Sequence, residues 1–381
     1  MHSNSNYEEM SSEETYWNIG YESAYQSSDG GNGMNLSKEF ETHHHFIRGL
    51  TNIEAFVEKA LTKSYPAFKM LTMQSGEQRF KSFESLSKNF LAVHGYFNAA
   101  TPDYDYSANV ELFIRCFSSM GLAEKAFTDP LSPVGGDDHP KLQYELFNEL
   151  IEFIRTEGKK PKYKSQVAMK KYKPIRRVRS TEQYFEKLFD KYGRLLILRI
   201  DLGYRKDYAQ HVTLEQTKAD LKHFLDNKRC NMSLFKNWVG YIWKLEWAQD
   251  KLYHWHFIAI YNGNKVQNDI HWAFQLGEYW KNVITKGNGG YFNCNSRKEW
   301  YYELGIGKIS RTDLVKRGVL MRKVVGYLAK SDQFLLARSL RNCHCFDKGN
   351  APEKSNAGRP RKLLAVNQAS LENEILPVSL A

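Results

Sequence analysis

Cysteine is scarce in this chain, and long apolar runs are missing. The five cysteines, at 116, 230, 294, 343 and 345, are odd in number and scattered. That spacing argues against a disulfide framework and for a reducing, cytoplasmic setting. No stretch approaches the roughly 20 apolar residues of a membrane span. The start, Met1-His2-Ser3-Asn4, does not read as a secretory signal, so no membrane partner is expected. No Gly-x-x-x-x-Gly-Lys-Ser/Thr segment occurs; Gly305-Ile306-Gly307-Lys308 is too short to be one, which excludes a P-loop helicase within the chain. Acidic residues are in deficit: 43 Asp and Glu stand against 54 Lys and Arg, for a net charge of +11. From 159 to 179 there are none at all, among ten Lys and Arg. Such a balance calls for a polyanionic partner. Nucleic acid is favoured over a membrane surface, because no basic helix with an apolar face stands out.

The acidic residues concentrate in residues 1–40, which are rich in Ser, Asn and Gly and read as a disordered tail. Residues 41–157 read as a helical domain, with apolar positions at helical spacing in Phe46 to Leu61, Leu86 to Phe97, Val110 to Phe127 and Leu142 to Ile154. His43-His44-His45 marks a solvated helix start. Residues 158–180 form a basic linker suited to lying on phosphates. The pattern then changes over 181–346. Leu195 to Leu202 is a strand, and Thr213-Leu214-Glu215-Gln216 opens a helix to about 229 as a capping box. Trp238 to Trp247 and Tyr253 to Tyr261 are strands joined by a turn at Gln249-Asp250-Lys251. A helix from about Asn268 to Ile284, a strand near Trp300 to Leu304, and a last helix capped by Thr312 and reaching Lys330 complete the set. The order β-α-β-β-α-β-α predicts an α+β fold, a ferredoxin-like antiparallel sheet with helices on one face. Residues 347–381 read as a basic, loosely ordered tail.

His254 and His256 lie in the run Leu252 to Ile260. Alternate residues of a strand share a face, so both imidazoles leave the same side. The spacing alone is weak evidence, since His43 and His45 repeat it. A three-residue turn, however, sets Glu246 opposite His254 and brings a carboxylate to the pair. Two imidazoles and a carboxylate, with positions left for water and substrate, suit Mg²⁺ or Mn²⁺ acting as a Lewis acid. On the last helix, Lys323, Tyr327 and Lys330 fall at i, i+4 and i+7. This predicts a stripe that sets a phenol between two cations, with Leu314, Met321, Val325 and Leu328 on the buried side.

Glu246, then His254-Trp255-His256, then Tyr327-Leu328-Ala329-Lys330 about 70 residues later, resembles the HUH endonuclease superfamily. The tyrosine follows the histidines, as in replication initiators. The local text Trp243-Lys244-Leu245-Glu246, Tyr253 to Phe257 and Val324 to Lys330 is most similar to inovirus-type (filamentous phage) replication proteins and their prophage-encoded relatives. The resemblance covers roughly residues 185–345. It implies that His254, His256 and Glu246 hold the metal, that Tyr327 is the nicking nucleophile, and that Lys330 orients the tyrosine or the phosphate. The implied activity is site-specific nicking and joining of single-stranded origin DNA through a 5′-phosphotyrosine, starting rolling-circle replication of a phage or other mobile element. Duplex origin DNA and a separate host helicase are the implied partners. Positions 323 and 331 are Lys and Ser, so a paired second tyrosine is absent. A second strand transfer would then need another subunit in a homodimer, another nucleophile or water.

Other signals are softer. The tryptophans of the second half, among them Trp243 and Trp255, read mainly as core, with some stacking on unpaired bases. Cys343-His344-Cys345 lacks a second ligand pair and reads as ordinary thiols. Gly358-Arg359-Pro360-Arg361-Lys362 is similar to part of an AT-hook, though a plain basic tail fits better. Two rival functions remain open at this point: a single-tyrosine transposase, and a basic DNA-binding regulator that keeps the fold without catalysis.

Overall fold

The computed structural model describes residues 33–134, 140–229, 231–249, 251–329 and 335–353. Residues 1–32 of the acidic tail, the AT-hook-like segment and Lys330 lie outside the described residues. So do the side chains of His43 and His44.

The first half is built on helix α1 (Gly33–Thr62), which therefore already includes residues 33–40 of the expected disordered tail. It packs with α2 (Ala108–Ser119) and α3 (Gln143–Lys159) around Phe56, Phe113 and Phe147. A hairpin of β1 (Phe68–Thr72) and β2 (Gln78–Ser82) interrupts the helices. Between α1 and α2 there is also a short strand, β3 (Tyr104–Tyr106). The stretch Leu86 to Phe97 is not one helix but two short ones, Glu84–Ser87 and Val93–Ala99.

The basic linker is helical. It forms the first part of α4 (Pro161–Tyr192), a 32-residue helix with Pro at its first turn, Pro174 inside it, and Gly193 at φ 70° ending it. Lys, Arg, Gln, Met and Ala all favour helix, so the segment holds its conformation while leaving its cations in water. The helix joins the two halves. Near its start, the Tyr163 hydroxyl donates to Asn109 Oδ1 (2.5 Å). Near its end, Tyr184, Phe185, Leu188 and Phe189 are buried.

The second half is built on a six-stranded antiparallel sheet: β4 (Arg194–Tyr204), β5 (Trp238–Ala248), β6 (Leu252–Asn262), β7 (Gly289–Asn293), β8 (Gly307–Ser310) and β10 (Phe346–Lys348). Helices α5 (Leu214–Asp226) and α6 (Asp269–Tyr279) make the crossovers. The order is β8–β4–β6–β5–β10, with β7 pairing β4 beside β8. This is the split β-α-β arrangement of a ferredoxin-like α+β domain, extended by β10. Thr213 caps α5 as expected, its side chain accepting from the Gln216 N–H. Two local expectations are corrected. Residues 300–304 are not a strand, the sheet using β7 and β8 instead. Asp313, not Thr312, caps α7 (Leu314–Val319), because its carboxylate accepts from the Lys316 N–H. A further strand, β9 (Leu335–Ala337), pairs with β3 of the first half.

Helices cover both faces of the sheet rather than one. Phe257 meets Phe224 of α5 on one side, while its neighbour His256 meets Tyr327 on the other. Tyr184 of α4 also reaches the sheet, its hydroxyl accepting from the Tyr241 N–H. Gly240 makes that approach feasible, since a Cβ there would collide with the Tyr184 hydroxyl. Burial on both faces explains why β4 reads as a continuous apolar run. Leu195, Leu196, Ile197, Leu198, Ile200 and Leu202 are all buried, each contributing about 1.5–3 kcal/mol relative to exposure. Among the described residues no helix is long and apolar enough to cross a membrane.

Candidate functional site

The β5–β6 hairpin has the expected register. Glu246 pairs with His254 and Lys244 with His256. The two imidazoles and the Glu246 carboxylate bring one ligand atom each within 4.8 Å of one another. Glu246 Oε2 lies 3.2 Å from His256 Nε2 and 4.0 Å from His254 Nε2. The other nitrogens are taken. His254 Nδ1 is 3.0 Å from the Leu252 carbonyl, and His256 Nδ1 is 2.7 Å from Asp201 Oδ1 on β4. Both rings are thereby held by hydrogen bonds that turn Nε2 toward the carboxylate, the outer-shell arrangement that metal-binding histidines use. The donor set fits a divalent ion.

Three further residues complete this environment. Asp201 sits opposite His256 across β4 and β6. Lys244, fully buried, places Nζ 3.2 Å from Glu246 Oε1 and leaves Oε2 to the histidines. Arg199, on the same face as Asp201, sits with its guanidinium 5.6 Å from the Tyr327 ring centroid. The charges follow from burial and pairing. Burial opposes the ionised forms of Asp201 and Glu246, but His256 beside the first and Lys244 beside the second outweigh it and hold both carboxyls low. Burial also works against the imidazolium of His256, yet the two carboxylates overcome it and push its pKa up. His254 is pushed down, by burial first and then by His256.

Tyr327 is brought to this centre, its ring 5.9 Å from that of His256 at 76°. It is only 2% exposed. Of the expected cationic stripe, Lys323 and Tyr327 are described: Lys323 lies 3.6 Å from Glu303, and Arg199 places a cation over the tyrosine ring. Between them runs a π-turn over Leu320–Val325, closed by the Gly326 N–H donating to the Met321 carbonyl. A π-turn carries an extra residue, so the i, i+4 rule fails across it. The expected buried side is also incomplete, because Leu314 is exposed while Val325 and Leu328 are buried. Lys330, the other implied catalytic residue, lies outside the described residues. Cys345 is buried and Cys343 half-buried, and neither belongs to a metal-ligating group among the described residues.

Residues 156–346 match the family model of the YagK/YfjJ C-terminal domain. The chain belongs to that family. The matched stretch begins within α3 and ends at the first residue of β10, so it holds the whole histidine centre and Tyr327. No curated protein and no solved structure matches the chain.

Proposed function

We propose that this protein is a metal-dependent, site-specific single-strand DNA nicking and joining enzyme of HUH type, acting as a replication initiator for a phage or related element. One observation carries the reading: the Tyr327 ring packs against His256 on the sheet face that also bears Glu246 and His254. A divalent ion, Mg²⁺ or Mn²⁺, would be held by Glu246, His254 and His256, and when bound would polarise a phosphate oxygen. The Tyr327 phenolic oxygen attacks the scissile phosphorus and forms a tyrosine–O–phosphorus bond to the 5′ side. The bond to the 3′ oxygen breaks, and that oxygen leaves as a 3′-hydroxyl carrying the proton lost by the phenol. No bond energy is dissipated, so the reverse attack rejoins a strand. Arg199 supplies positive charge beside the phenol. Lys330, three residues further on, is the second cation proposed for the tyrosine or the phosphate.

Charge supports the choice of DNA. Lys162, Lys164, Lys171, Lys173, Arg176 and Arg179 are exposed on α4, positive charge for the phosphates of origin duplex. Membership of a family of prophage-type proteins agrees with a mobile element in a bacterial cytoplasm. Strand opening would fall to a separate host helicase. The burial of Tyr327 favours a second reading, a DNA-binding regulator that does no chemistry. Covalent capture separates the two. Full-length protein with Mn²⁺ and a randomised single-stranded library is run on a denaturing gel. Nicking predicts a DNA–protein adduct that disappears with EDTA and with Tyr327→Phe. DNA binding that is indifferent to metal and to Tyr327, with no adduct on the element's own origin sequence, establishes the regulator.

A further inference from the structure

A second concave site lies on the opposite face of the same hairpin. It is a cleft of about 490 Å³ between α5 and strands β5 and β6, within the range of roughly 300–1,000 Å³ usual for small-molecule sites. Register places it there: Trp243 pairs with Phe257 and Leu245 with Trp255, one residue out of phase with Glu246 and His254. Its walls are apolar and aromatic, from Leu221 and Leu225 of α5 to Tyr241, Trp243 and Trp255 of the sheet. Lys218, Lys222 and Lys228 also line it, all three exposed, together with Asp226, whose carboxylate lies 2.6 Å from Lys222 Nζ. Lys228 sits over the Tyr241 ring, 5.5 Å from its centroid.

One wall residue of the cleft carries a buried donor. The indole N–H of Trp255, a residue 1% exposed, has no hydrogen-bond partner among the described residues. Burying an unpaired donor is costly, and most native donors avoid it. Trp243 stands edge-on to Trp255 with ring centroids 5.2 Å apart, so the two indoles form a corner rather than a stack.

We propose that this cleft binds a nucleotide, with the base between the aromatic corner and the α5 leucines and the phosphate at the lysines. A base supplies a π face and ring or carbonyl acceptors, and the phosphate supplies an anion for Lys218 and Lys228, Lys222 being paired with Asp226. Aromatic surface with interleaved cations is the usual chemistry for unpaired bases. The same groups come from two sources, a free nucleotide or a base turned out of a single strand. The proposal does not rest on the nicking reading, because it uses the other face of the sheet.

Calorimetric titration of the full-length protein, in EDTA to silence the histidine centre, tests it. The probes are dAMP, dGMP, dCMP and dTMP, with deoxyribose 5-phosphate and inorganic phosphate as base-free controls. At least one mononucleotide is expected to bind with Kd below about 1 mM, and about tenfold tighter than either control. Tyr241→Leu, which keeps apolar bulk and removes the π face, should weaken it about tenfold. Lys218→Glu combined with Lys228→Glu, both on the surface, should do the same while leaving Mn²⁺ affinity unchanged in metal-containing buffer. A short oligonucleotide that competes for the site identifies a strand as the source; one that does not identifies a free nucleotide. The proposal is overturned by heats no larger than those of phosphate, by variants that bind nucleotide as wild type does, or by an acidic aromatic peptide binding where no nucleotide does.

Discussion

Asp201 Oδ1 lies 2.7 Å from His256 Nδ1, across neighbouring strands and 55 residues apart in sequence. The contact holds the imidazole with Nε2 facing Glu246 and raises its basicity, as a carboxylate behind a metal-ligating histidine does. Asp201→Asn keeps the shape and removes the charge. It should weaken Mn²⁺ binding by roughly 10–100-fold, whereas Glu246→Gln should lose more because it strips the ligand carboxylate itself. Calorimetry at neutral pH measures both, and a wild-type affinity for Asp201→Asn would show that the pair does not support the metal.

Metal binding should depend steeply on pH. The His256 pKa is raised by Asp201 and Glu246 in the metal-free protein, so its Nε2 carries a proton that a metal must displace. Affinity for Mn²⁺ should therefore rise with pH by up to about tenfold per unit, as one proton is released, and flatten above the raised pKa. The stability term has the opposite sign. A raised histidine contributes fully below its unfolded value of about 6.5, and that contribution is lost as pH rises through the folded value. Melting of the EDTA-treated protein should show the loss on the alkaline side, and Asp201→Asn should reduce it.

Tyr327 offers a way to divide chemistry from packing. Its ring is buried against His256, and Tyr327→Phe keeps that ring. Urea unfolding should move by no more than about 1 kcal/mol, while the covalent DNA adduct disappears. Tyr327→Ala should cost about 3–5 kcal/mol through the cavity it opens. Equal destabilisation by both variants would show that the hydroxyl, not the ring, is what the fold needs.

Gly240 is a test of the contact between α4 and the sheet. A Cβ there meets the Tyr184 hydroxyl, which accepts the Tyr241 N–H. Gly240→Ala should cost about 1–3 kcal/mol by overpacking, and Tyr184→Phe in the same chain should recover part of it. Denaturant midpoints of the two single variants and the double variant decide whether the sites couple.

The hairpin was legible in the sequence because it is local. A three-residue turn and a period of two are enough to align Glu246 with His254 and to put His256 on the same face. Asp201 was not legible in the same way. Its partner is fixed by how β4 slides against β6, a register with 47 residues of chain between those strands, set by the packing of both faces. The second helical layer had a signal that went unread: Leu195 to Leu202 is apolar at every position but Arg199 and Asp201, which a sheet wet on one side would not be. The basic segment read as a linker lying on phosphates, and its helix was not foreseen. Its residues are good helix formers and needed only the packing of Tyr163 at one end and Tyr184 at the other.

The sequence by itself determined the alternation of strands and helices, the composition of the histidine centre, and the positive charge. These depend on residue type and short-range periodicity, which a chain carries without being folded. Tertiary structure alone decided that Arg199 stands over Tyr327, that Asp201 backs His256, and that the tyrosine is buried. Each depends on long-range register or on a π-turn, and both are set by how layers pack rather than by any neighbouring residue.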